Sequence, residues 1–97
     1  MKNIKKQIKS FGKVLKNNSN KERAINEKKY LKSPHKFFGV SLPFTNRMAR
    51  EFINSNKDAS REYIYELVKN LWDSEYHDEK KLGLRILQFF PEYLDYS

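Results

Sequence analysis

Apolar residues in this chain recur at three- and four-residue intervals, and that period leaves little choice of fold. Ile64, Leu67, Val68, Leu71 and Trp72 follow the i, i+3, i+4, i+7, i+8 pattern of a helix with one apolar stripe. Ile4, Ile8, Phe11 and Leu15 predict an earlier helix over residues 2–17, with Lys2, Lys5, Lys6, Lys9, Lys13 and Lys16 around the remainder. No stretch sustains a period-two alternation, and no Asn-Gly hairpin turn is present. The chain reads as all-α.

Breakers divide it further. The run Asn17-Asn18-Ser19-Asn20 ends the first helix. Ser19 with Glu22 fits a capping box opening a second helix that runs to about Lys32. Ser33-Pro34 should end that helix, because the residue before proline is pushed out of the α region. Gly39 offers a positive φ or a close backbone approach, and Pro43 suits the first turn of a third helix carrying Met48, Ala49, Phe52 and Ile53. Asp58 or Ser60 can cap the fourth helix. A fifth starts near Asp78-Glu79 and carries Leu82, Leu84, Ile86, Leu87, Phe89 and Phe90 on more than one face, so it should be packed on two sides. Pro91 stops or restarts it, and residues 92–96 form a final turn. Five helices joined by short turns predict stacked antiparallel pairs. Trp72 is expected in the core. His77, Asp78 and Glu79 are expected as a surface cap at a helix start, and His35 as an isolated, exposed loop residue.

Charge is unevenly placed. Residues 1–36 hold twelve Lys/Arg against two Glu, a balance of +10, while residues 37–97 hold eight against ten Asp/Glu, a balance of −2. Such asymmetry points to a polyanion, with nucleic acid ahead of an anionic membrane. There is no cysteine, so a disulfide framework and a thiolate metal site are excluded. No apolar run approaches the ~20 residues that span a bilayer, and no signal-peptide pattern is visible, so a soluble cytoplasmic protein is expected. There is no HExxH, no Gly-rich phosphate loop and no nucleophile–base pair. No catalytic residue, metal ligand or cofactor is assigned.

Two segments carry a resemblance. Tyr30-Leu31-Lys32-Ser33-Pro34 followed by Phe37-Phe38-Gly39-Val40-Ser41-Leu42-Pro43 resembles the N-terminal signature of the AlkD-like DNA alkylation repair family. Glu66-Leu67-Val68-Lys69-Asn70-Leu71-Trp72-Asp73-Ser74, followed by Asp78-Glu79 and Leu84-Arg85-Ile86-Leu87, is similar to its next helical pair. The resemblance covers about residues 22–97 and implies HEAT-like helical pairs curved into a superhelix. It also implies kinship with glycosylases that release alkylated purines, gripping duplex DNA on a basic concave face. Tyr30 matches a tyrosine that can face DNA. The chain departs from the family at Asn46, where arginine is frequent, and at Ser41, where some members carry a longer polar residue.

The family's catalytic Trp-Asp segment and its partner arginine lie on later helices, beyond Ser97. The resemblance therefore implies a single HEAT-like domain over residues 1–97, the N-terminal part of a longer repeat protein and inactive alone. Within it, 1–18 is the basic amphipathic helix and 19–97 the family-like pairs. Charge and resemblance together nominate Lys29, Tyr30, Lys32, Lys36, Ser41, Arg47 and Arg50 as contacts to the phosphate backbone of duplex DNA. The rival expectation is a helical-repeat scaffold for a protein partner or an oligomer. Neither involves a membrane.

Overall fold

Four of the five described helix starts have a local cap. The computed structural model describes residues 3–90, and in it α1 (Ile4–Asn17), α2 (Lys21–Leu31), α3 (Leu42–Ser55), α4 (Arg61–Trp72) and α5 (His77–Phe89) follow in order. Asn3, Asn20, Ser41 and Ser60 are extended, and their side-chain oxygens accept from the backbone N–H groups of Lys6, Arg23, Phe44 and Tyr63. Each bond satisfies a donor the helix itself leaves orphaned. The cap of α2 is thus Asn20, one residue beyond the Ser19 expected, because the asparagine oxygen reaches the Arg23 amide. Pro43 sits in the first turn of α3 as expected. The final turn expected at 92–96 and the stop at Pro91 lie outside the described residues.

The core forms where α5 meets its neighbours. α3 and α4 both pack along α5, and α1 lies against α4 and α5. Leu82 and Ile86 of α5 share one buried cluster with Leu67 and Leu71 of α4, Phe52 of α3 and Leu15 of α1. Phe11 meets Phe52 edge to face at 5.3 Å between ring centres. A Cβ on Gly83 would lie 3.2 Å from the Leu71 Cβ, so its absence lets α5 approach α4 closely. The two-sided packing expected of the fifth helix is therefore present. α2 differs from the other four, having no buried residue.

Trp72 corrects an expectation. It is 49% exposed, not in the core. Ile64, Leu67 and Leu71 are fully buried and define the inward direction of α4. At about 100° per residue, Trp72 is turned away from that direction by a full step beyond Leu71.

The connection between α2 and α3, residues 32–41, is the joint. Lys32 closes α2 in the left-handed region at φ 50°, and Gly39 turns the chain at φ 79°. A Cβ at position 39 would lie 2.2 Å from the Asn20 carbonyl oxygen and 2.6 Å from the Ala24 nitrogen. Glycine is needed there for its backbone angle and for the seat it gives α2. The Phe38 carbonyl accepts from the Asn20 N–H, which ties the joint to the start of α2. A parallel bridge joins Lys36 to Tyr76: the Lys36 N–H donates to the Glu75 carbonyl, and the His77 N–H to the Lys36 carbonyl.

Asp78 completes the joint and corrects a second expectation. It is 1% exposed, not a surface cap. Its Oδ1 accepts from the Phe38 N–H at 2.6 Å and its Oδ2 from the Val40 N–H at 3.0 Å. Its place in the first turn of α5 adds the favourable end of the helix dipole. Asp78→Ala would leave the buried Val40 amide and the partly buried Phe38 amide without an acceptor, at about 1–3 kcal/mol each. Chemical denaturation of Asp78→Ala should therefore show a loss of about 3–5 kcal/mol, against under about 0.5 kcal/mol for the exposed Asp73→Ala control. Equal effects of the two would contradict this role for Asp78.

Candidate nucleic-acid interface

The period of α2 sorts its side chains onto two faces. Lys21, Ala24, Ile25 and Lys28 share one, while Arg23, Asn26, Glu27 and Tyr30 share another. The first face meets the end of α1 and the joint around an open hollow of about 420 Å³. Ala24, Ile25, Phe37 and Phe38 supply its apolar surface, and Lys16, Lys21 and Lys28 its charge. The second face borders a hollow of about 660 Å³ that includes Arg23, Asn26, Tyr30 and Leu31. Lys16, Lys21 and Lys28 were not among the nominated contacts. The 21-24-25-28 spacing was the signal that could have found Lys21 and Lys28, while nothing in the sequence places Lys16 beside them.

The nominated residues fall on three elements. Lys29 and Tyr30 are exposed on α2, with Tyr30 at 85%, and Lys32 is exposed at its left-handed end. Lys36 stands on the joint, 3.0 Å from a Glu75 carboxylate oxygen and 5.8 Å from the centre of the Tyr76 ring. Its hydrogen bond to Glu75, and then the charge of that carboxylate, raise its pKa. Ser41 is committed locally: its hydroxyl caps α3, and its carbonyl accepts from the Thr45 hydroxyl. Arg47 and Arg50 are exposed one turn apart on α3, and the Arg50 guanidinium lies 4.9 Å from the Phe89 ring centre.

Beneath this surface the joint rests on aromatic stacks. Phe38 lies parallel to Tyr76 at 3.9 Å, and Phe37 stacks on His77 at 4.7 Å. His35 is partly buried rather than exposed. The His77 Nδ1 is buried with no hydrogen-bond partner among the described residues. Burial is the main reason its pKa is lowered, and Lys81 acts in the same direction. Lys81 also reaches a Glu27 carboxylate oxygen at 3.6 Å, linking α5 to α2. Glu79 is half-buried and accepts from the Ser74 hydroxyl. Burial raises its pKa, with Ser74 opposing. Asp78 has spent both oxygens on backbone amides, so the carboxylates at this helix start hold the turn.

The model of the family described as DNA alkylation repair enzyme matches residues 11–95, a span running from within α1 through α5. No curated protein and no solved structure matches the chain. No helix among the described residues is long and apolar enough to cross a membrane.

The partly buried imidazole makes stability depend on pH with a definite sign. The folded state holds His77 below its ordinary value of 6.5, so the unfolded chain binds the extra proton first. Stability is therefore retained above pH 6.5 and falls as pH drops below it toward the folded pKa. An NMR titration of the His77 ring should give a midpoint below 6.5. His77→Gln should flatten the acid limb of the stability curve. A midpoint at or above 6.5 would contradict the burial argument.

Proposed function

The chain belongs to the DNA alkylation repair enzyme family, and from that premise we propose that α1, α2 and the joint bind duplex DNA through its phosphates. The observation that carries this reading is α2 itself. It is basic, it buries none of its residues, and it is anchored at its start and by the joint. Its lysines are free to turn toward a polyanion. Lys29 and Lys32, with Lys16, Lys21 and Lys28 on the neighbouring face, would neutralise phosphates and release counterions. Arg47 and Arg50 extend the contact along α3. The Lys36–Glu75 pair is exposed on both sides and holds Lys36 weakly, so a phosphate can replace the carboxylate. Tyr30 stands where its ring and hydroxyl can lie along a sugar-phosphate strand. Ser41 contributes by starting α3 and so placing Arg47 and Arg50.

Such contacts position a protein on DNA without reading its bases. The reading is one of binding, without base release by this chain. Asp78 serves the fold, and Glu79 is held by Ser74.

A salt titration on duplex DNA tests it. For roughly five phosphate contacts, log affinity should fall against log salt with a slope of about −4 to −5. Changing Lys29, Lys32 and Lys36 to Ala together, or Lys16, Lys21 and Lys28 together, should each flatten the slope by about 2. Affinity should vary little with duplex sequence, and methylated purines should not be released from alkylated DNA. Absence of binding at low salt, or slopes untouched by both triple variants, would refute the reading.

A further inference from the structure

The outer side of the α4–α5 pair carries an apolar face. Tyr65, Trp72 and Leu84 are 47%, 49% and 49% exposed. With Val68 and Leu87 they line a groove of about 500 Å³ between the two helices. Tyr65, Val68, Trp72 and Leu87 stand one step around their helices from the core positions Ile64, Leu67, Leu71 and Ile86, and Leu84 lies two residues beyond Leu82. A contiguous apolar groove on a surface this polar marks a contact site.

The shape and charge of the groove select its occupant. It is shallow and open, and a groove between two packed helices accepts the ridge of a third. Its rim is cationic. Lys69 lines it directly, and Lys80 lies 5.2 Å from the Trp72 ring centre while donating to the Trp72 carbonyl. Beyond Leu84 and Leu87, Lys81 and Arg85 border an adjoining hollow. No carboxylate lines either hollow among the described residues. A second copy brought groove to groove would set these cations against one another, because a two-fold contact must be self-complementary.

We propose that this groove docks an amphipathic helix of a partner protein. That helix carries apolar residues at i, i+3, i+4 and i+7 with Asp or Glu flanking the stripe. The apolar stripe covers Tyr65, Val68, Trp72, Leu84 and Leu87, and the flanking carboxylates meet Lys69 and Lys80. The site is separate from the proposed DNA contacts and stands whether or not they do.

Trp72 is the chain's one tryptophan and reports on the groove directly. The probe is a synthetic helical peptide with leucine at those positions, alanine elsewhere and glutamate flanking. It should bind saturably and shift Trp72 emission to the blue. Leu84→Glu should weaken it by about tenfold or more, since one buried like charge costs several-fold to many-fold in affinity. Lys69→Glu should also weaken it. Both replacements are at exposed positions and should leave the melting temperature and DNA affinity of the full chain unchanged. Several results would overturn the proposal: no shift with the glutamate peptide, equal binding of a lysine-flanked counterpart, a shift with anionic vesicles alone, or a blue shift that grows with protein concentration without peptide.

Discussion

One buried carboxylate ties the joint in the middle of this chain to the start of α5. Asp78, at the start of α5, accepts the amides of Phe38 and Val40 from forty and thirty-eight residues away. A buried anion is costly unless paired, and here two donors and a helix N-terminus share the compensation. The geometry depends on Gly39. Its left-handed turn lies between the two donors and brings both toward one carboxylate. The same glycine clears the space in which Asn20 and Ala24 sit. Moving Asp78 or adding a side chain at Gly39 would therefore disturb the same three elements, α2, the joint and α5.

This arrangement explains how α2 can be ordered without being buried. The other helices are held by broad apolar faces on or near α5. α2 is held by the cap at Asn20, the glycine seat, the Phe38 carbonyl and the Glu27–Lys81 ion pair. Its lysines stay in solvent, where phosphate binding would need them. α5 thus links two surfaces of different chemistry. Its start anchors a cationic helix, and its outer side shares an apolar groove with α4.

Much of the fold was legible because it is local. The spacing of Ile64, Leu67 and Leu71 set the inward face of α4. Pro43, and Ser60 as one of two candidate caps beside Asp58, marked helix starts by chemistry acting within one turn, and Gly39 marked a reversal no other residue tolerates well. What was hidden depends on distant partners. Nothing near Asp78 shows that its acceptors will meet Phe38 and Val40, so it looks like an ordinary acidic residue at a helix start. Trp72 fits the helical stripe but lies at its edge, and only the position of α5 decides which edge is covered. Asn20 and Ser19 are both good caps, and the chain's path through Phe38 selects Asn20. The charge excess of the first third was plain, yet the grouping of Lys16 with Lys21 and Lys28 required the docking of α2 beside α1. The family match over residues 11–95 agrees with the resemblance carried by the segments around Gly39 and Trp72.

Native-state hydrogen exchange of the Phe38 and Val40 amides tests the central claim most directly. If Asp78 locks the joint onto α5, both amides should exchange only through openings near the global unfolding free energy, although they lie outside any helix. Amides along α2 should open at lower free energy, because that helix has no buried face. Phe38 and Val40 amides that exchange as fast as an unstructured loop would contradict the account.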